Sequence, residues 1–370
     1  MRVAFYAPLK PPDHPVPSGD RRVARLLVQA LCHAGHDVFI ASRLRSYDGT
    51  GDPIRQVRLA RIGTRIADRL LRRWQHDPAT APDLWVTYHL YYKAPDWLGP
   101  TVSAALRIPY VVAEASHAAK RAAGPWQISH RAVETALCRT DLVFGLNPAD
   151  RAGVLPFLRR PESWAVLPPF LDARNYRSAD MPPTSSTTPR LITVAMMRPG
   201  DKLASYRVLA AALVTLLDLP WSLDIIGDGP VRPEIEQILM PLEARVAYHG
   251  TLDDAGVAQA LARADLFLWP AINEAFGMAL LEAQASGLPV IAGASGGVAG
   301  IIADGETGLL VPPGDIGAFA AAARRLIRDQ AVRRAMGIAA RTRVKREHDL
   351  PVAAERLARA IGSLGRTSAA

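Results

Sequence analysis

Cysteine is nearly absent from this 370-residue chain. Cys32 and Cys138 are its only two, which rules out a disulfide framework or a cysteine-rich metal site. No uninterrupted apolar run approaches the roughly 18 residues that span a bilayer. The opening MRVAFYAPLKPPD lacks the apolar core of about 7–15 residues that marks a secretory signal. The expectation is a cytoplasmic protein. No internal repeat rises above a simple strand–helix alternation. What is present is ordinary for a globular chain, with 49% hydrophobic and 21% charged residues. The length exceeds one comfortable core and implies two domains.

Charge is unevenly placed. The net +9 lies entirely in residues 1–180, which hold 25 Lys/Arg against 16 Asp/Glu, whereas residues 181–370 hold 19 of each. A basic half implies an anionic partner. Ile54–Trp74 concentrates it: Arg55, Arg58, Arg61, Arg65, Arg69, Arg72 and Arg73 recur mostly every three or four residues. Ile54, Val57, Ile62, Ile66, Leu70 and Trp74 keep a helical period of their own. That is a basic amphipathic helix, suited either to an anionic membrane surface or to an ordinary domain face with its arginines in water. No nucleic-acid partner is expected.

Short apolar runs alternate with helical patterns in both halves, which predicts two parallel-sheet α/β domains. Strands are expected at Arg2–Tyr6, Asp37–Ala41, Leu84–Thr87, Tyr110–Ala113, Leu142–Gly145 and Trp164–Leu167. A second set falls at Leu191–Ala195, Ser222–Ile226, Val246–His249, Leu266–Trp269, Pro289–Ala292 and Leu309–Val311. Helices are expected at Arg21–Ala34, Ile54–Trp74 and Gln127–Arg139. The Pro/Ser/Thr-rich segment 180–189 reads as a linker. The first domain then spans 1–180, the second 190–349, and 350–370 forms a terminal helix. Ligands of open parallel sheets bind beyond the strand C-termini, so two such domains are expected to face one cleft.

The most informative stretch is Ala271–Gly287, AINEAFGMALLEAQASG. It follows a buried strand and opens a helix that Gly287 ends. Glu274 falls in the corner and Glu282 about one turn into the helix, with Phe276, Gly277 and Met278 between them. Backbone amides and the positive helix end favour phosphate there, while carboxylates favour hydroxyls. Acid and amides at one corner therefore suit a sugar nucleotide. Two glutamates alone would more often be a helix-cap neighbour and a solvated acid.

The surrounding text, NEAFGMALLEAQASGLPVIA, then Gly296–Gly297 and DGETGLLVPPGD, closely resembles the donor-binding signature of the family 4 retaining glycosyltransferases of the GT-B fold. The resemblance is dense over residues 264–315 and thinner elsewhere. It implies two Rossmann-like domains, with the terminal helix returning to the first. In MMRPGDK it implies that Arg198 and Lys202 contact the donor diphosphate, whose growing charge fixed cations stabilise. Met197 stands where the family usually has glycine. The resemblance assigns Glu274 to hydroxyls of the transferred sugar, Glu282 to the ribose, and His249–Gly250 to the base. Gly227–Pro230 resembles the family's Gly-Asp/Glu-Gly-Pro turn and is explained by turn geometry alone. Gly19 keeps one of two family glycines near donor phosphate or sugar. Ser18 replaces the other and serves equally as a helix N-cap.

For the family's first-domain histidine beside the reacting sugar, His117 fits the order best. Glu114 and His89 compete for the matching place, and His89 is also the acceptor-side candidate. Gly296-Gly297-Val298-Ala299-Gly300 lacks the acid of the family's Gly-Gly-x-Pro-Glu. No Asp-x-Asp occurs, so no metal or other cofactor is expected, with Arg198, Lys202 and helix amides carrying the diphosphate charge. The reading is transfer from a UDP- or GDP-linked sugar to a glycan or lipid-linked hydroxyl, at the inner face of the cell membrane. A GT-B epimerase or phosphorylase, or a non-catalytic basic membrane or nucleic-acid adaptor, is the alternative.

Overall fold

The computed structural model describes residues 1–16, 18–176, 188–274 and 276–367, with side chains through Leu364. Most of the expected linker, 180–187, lies outside the described residues. The contacts divide the chain into two compact units, Met1–Pro168 with Leu350–Ala370, and Pro169–Asp349. Residues 169–176, expected in the first domain, thus pack with the second unit. Tyr176 and Leu171 are buried in its core.

In the first unit the strands are β1 (Arg2–Tyr6), β2 (Asp37–Ser42), β3 (Leu84–Leu90), β4 (Tyr110–Ala115), β5 (Leu142–Gly145) and β6 (Trp164–Val166). They form one parallel sheet in the order β2-β1-β3-β4-β5-β6. Central strands covered on both faces must be apolar throughout. β4 meets this, all six residues being buried. Helices α1 (Gly19–His33), α2 (Pro53–His76), α3 (Gly99–Leu106) and α4 (Gln127–Arg139) link the strands. Ser18 caps α1 by accepting from the Arg21 amide at 3.2 Å, and Asp52 with Pro53 starts α2. The terminal helix Leu350–Thr367 packs on α1 within this unit.

In the second unit the strands are β7 (Arg190–Val194), β8 (Ser222–Ile226), β9 (Val246–Tyr248), β10 (Leu266–Trp269), β11 (Val290–Gly293) and β12 (Gly308–Val311). Their order is β12-β11-β10-β7-β8-β9, and all neighbours run parallel. β10 and β11 are wholly buried. Each such Leu, Ile or Phe contributes roughly 1.5–3 kcal/mol by leaving water. The sequence order turns back between β7 and β10, which puts a topological switch point at the C-terminal ends of these two central strands.

Candidate active site

In the second unit the loop after β7 and the corner after β10 converge at that switch point. Lys202, in the first turn of the helix Asp201–Val214, reaches Glu274 at 2.5 Å, Nζ to Oε2. The indole N–H of Trp269, last residue of β10, donates to the same oxygen at 3.2 Å. The ammonium also lies 5.3 Å over the Trp269 ring. Both charges are partly sheltered, at 27% and 18% side-chain exposure, so the pair is held in place rather than merely near. Ser295, after β11, accepts from the Glu274 amide at 3.1 Å.

The corner itself is strained. Ala271 and Asn273 have φ of 54° and 50°, a left-handed region that costs non-glycine residues about 1–3 kcal/mol and gathers at functional sites. Gly277, the N-cap of the helix Met278–Ala285, has φ 72°. A side chain there would strike Leu280 at 2.7 Å. Gly277 is buried, whereas Phe276 and Met278 are half-buried. Glu282 is buried on this helix at 3% exposure. Arg198 is exposed, on the loop between β7 and Lys202.

Met197 is buried and bonds the turn behind it, its amide donating to the Asp228 carbonyl at 2.9 Å. Gly227 (φ 140°) and Gly229 (φ 156°) press so closely on the Ala195 and Met197 carbonyls that a Cβ would lie 1.9 and 2.2 Å away. Gly250 (φ 64°) accepts from the Gly227 amide at 2.8 Å. The His249 ring is committed to Asp224, 2.7 Å from Nε2 to Oδ1.

The first unit gathers a second constellation at the C-terminal ends of its strands. His89 lies inside β3, one residue before its end, with φ 62°; Glu114 lies inside β4 with φ 63°. Nδ1 of His89 meets Asp20 Oδ1 at 3.1 Å, and Nε2 lies 3.7 Å from Glu114 Oε1. Tyr91 stacks on the ring at 4.6 Å. Oε2 of Glu114 is buried without a hydrogen-bond partner. Burial, reinforced by the charges of Asp20 and Asp150, raises Glu114 to about 7 against the pull of His89. For His89, burial alone would lower the imidazole, but Glu114 and then Asp20 together raise it. Asp150 is raised by burial. The result is one imidazole among three carboxyl groups, one of them titrating near neutrality.

His117 is not among these groups. Its Nε2 meets Glu134 of α4 at 3.1 Å, and its ring packs on Phe157 and His130. Gly19 is exposed at the start of α1, with open space where a Cβ would point. Asp20, the next residue after Gly19, joins the His89 group without a sequence motif of its own. Trp269 reads in the sequence only as core strand. Asp150 gives no signal at all.

The family model for glycosyl transferases group 1 matches residues 188–329. A sulfoquinovosyl transferase of Arabidopsis thaliana is 39% identical over 119 residues, 31% of this chain and 23% of that protein. The N-acetyl-alpha-D-glucosaminyl L-malate synthase of Bacillus anthracis is 34% identical over 183 residues, 47% of each. The chain thus spans less than half the length of these curated relatives. Among solved structures, Anabaena HepE in complex with UDP superposes with a TM-score of 0.74 at 18% identity, covering 98% of this chain and 100% of that one. The sucrose-phosphate synthase of Thermosynechococcus elongatus gives 0.73 at 21% identity, covering 99% and 100%. The segment that holds Lys202 and Glu274 thus matches the group 1 glycosyl transferases, and the chain has the GT-B fold.

Proposed function

We propose that the protein is a retaining glycosyltransferase that moves a sugar from a nucleotide-diphosphate sugar to a hydroxyl of a glycan or lipid-linked acceptor. The observation that carries this reading is the Lys202–Glu274–Trp269 group at a strained strand-to-helix corner of the switch point. A cation, a carboxylate and the amide-rich start of a helix answer the three parts of such a donor: phosphate charge, sugar hydroxyls and diphosphate oxygens. The relatives and the solved neighbours support the same class. Anabaena HepE has been solved with UDP and with UDP-glucose, which favours a UDP-linked donor here.

In this reading the bond from the anomeric carbon to the diphosphate breaks first, leaving an oxocarbenium-like sugar. Arg198 and Lys202 stabilise the departing charge with no metal on the diphosphate. The acceptor hydroxyl attacks from the same face and passes its proton to the departing phosphate oxygen, so the anomer is retained. Glu274 holds hydroxyls of the transferred sugar, Glu282 the ribose, and the Gly277–Met278 amides the diphosphate. Glu114 and His89 act on the acceptor side by orienting the acceptor hydroxyl through hydrogen bonds, while its proton goes to the phosphate oxygen.

The arginines of α2 support an acceptor held at an anionic membrane surface. Arg58, Arg61, Arg65, Arg69, Arg72 and Arg73 are exposed or half-exposed along it, and Ile54 near its start is 81% exposed. Incubation with a panel of UDP-, GDP- and ADP-sugars and candidate acceptors, with the product anomer read by proton NMR, tests the reading. A product of inverted configuration refutes retention. Consumption of the sugar nucleotide with no glycosylated product refutes transfer and favours an epimerase.

A further inference from the structure

The first unit holds one more group of ligating side chains that the proposed reaction does not use. His130 and Glu134 stand four residues apart on one face of α4, and His117 meets them from the loop after β4. Nε2 of His117 lies 3.1 Å from Glu134 Oε1, and Nδ1 of His130 lies 3.6 Å from the same oxygen. All three donor atoms fall within 4.8 Å of one another.

The tautomer of His130 is set by its surroundings. Nε2 bonds the Ala118 carbonyl at 3.1 Å, and a carbonyl can only accept. The proton therefore sits on Nε2, and Nδ1 turns a bare lone pair toward Glu134. That Nδ1 is buried and has no hydrogen-bond partner, in a residue only 1% exposed. A backbone carbonyl that orients a histidine in this way is the usual support of a metal ligand. Two donors each about 2.0 Å from a tetrahedral zinc sit ~3.3 Å apart, close to the two shorter separations here. Two imidazoles and one carboxylate suit a borderline cation, whereas magnesium and calcium select oxygen ligands.

We propose that His117, His130 and Glu134 form a divalent-metal site of the zinc class, with solvent completing the coordination. The site ties the start of the β4–α4 connection to α4. The far part of that connection carries Arg121, whose guanidinium lies 4.8 Å over Trp126 and 5.2 Å over Tyr92.

The test uses the full chain stripped with a chelator. Added Zn²⁺ is expected to bind once per chain by titration calorimetry and to raise the melting temperature, while Mg²⁺ does neither. Glu134→Gln keeps shape and packing, and His117→Ala removes one donor together with its ring contacts to His130 and Phe157. Each is expected to weaken zinc binding more than about tenfold, the loss that even an outer-shell partner causes. X-ray absorption at the zinc edge should give a nitrogen/oxygen shell with imidazole scattering. No zinc-dependent stabilisation, equal zinc affinity in both folded variants, or a sulfur shell from Cys32 or Cys138 would overturn the site.

Discussion

Glu114→Gln is the most revealing single change, because it separates charge from shape at a buried group. The carboxyl has moved from its ordinary 4.5 to about 7, so ionising it in place costs about 3 kcal/mol at 1.36 kcal/mol per pH unit. A raised carboxyl favours the folded state in its neutral form. Its contribution is fully present below the unfolded value and is lost as pH rises through 7. His89 is raised as well, and its contribution is likewise lost with rising pH, so the two groups act in the same direction. Linkage between 4.5 and 7 gives ~2.5 kcal/mol of lost stability between pH 5 and pH 8.5.

Glutamine mimics the neutral acid and does not titrate. The variant should therefore gain on the wild type by about that amount over the same interval. Five of the seven tryptophans, Trp74, Trp85, Trp97, Trp126 and Trp164, lie in the first unit, so urea melts followed by fluorescence report on it. A stability gap between variant and wild type that stays constant from pH 5 to pH 8.5 refutes the reasoning. The same variant should lower kcat/KM and change the pH profile near 7, because it removes the charge that Glu114 places beside His89.

Glu282→Ala should weaken donor binding by the 1.5–3 kcal/mol of a charge-assisted hydrogen bond, about 10- to 150-fold by titration calorimetry; unchanged affinity would dissociate it from the ribose. Turnover in excess EDTA at room temperature should stay within a few-fold of the untreated enzyme, and abolition that Mg²⁺ or Mn²⁺ restores would place a metal on the diphosphate. Gly227→Ala, with φ 140° and a Cβ 1.9 Å from the Ala195 carbonyl, should cost roughly 2–4 kcal/mol in urea melts. Gly19→Ala, facing open space, should be nearly neutral, and the reverse order would undo the close-approach account. Arg65, Arg69, Arg72 and Arg73 changed together to Gln should release the protein from anionic liposomes at low salt, at about 1 kcal/mol per basic group; equal partitioning to neutral liposomes would detach α2 from the membrane.

All twelve strands stand within a few residues of where the sequence places them, for a physical reason. The central strands, buried on both faces, have few polar residues to blur them, so their apolar runs are nearly continuous. By contrast, β2, β6 and β9 at the sheet edges hold no fully buried residue. The strand-to-helix corner after β10 was legible for a related reason. Glu274, Gly277 and Glu282 lie close together in the chain, and Lys202 sits in a matching loop. Their ion pair spans 72 positions and became readable only because both residues end up at one switch point.

The first unit was harder to read because its site depends on where strands stop and how the backbone turns. β3 runs on to Leu90 and β4 to Ala115, past their expected ends at Thr87 and Ala113. His89 and Glu114 therefore lie within strands that run past their expected ends. The left-handed φ at both residues leaves no trace in hydrophobic period. Apolar pattern tracks burial, and His89 is the most closely partnered of the two candidate histidines only in three dimensions: Asp20, Glu114 and Tyr91 arrive from three different elements. His117, favoured by order in the chain, has its ring taken up by Glu134, His130 and Phe157. A local signal for that fate was present, since His130 and Glu134 are spaced by one helical turn in a predicted helix. Such a pair has a reason to be read as ligands only once a third donor is seen to face it.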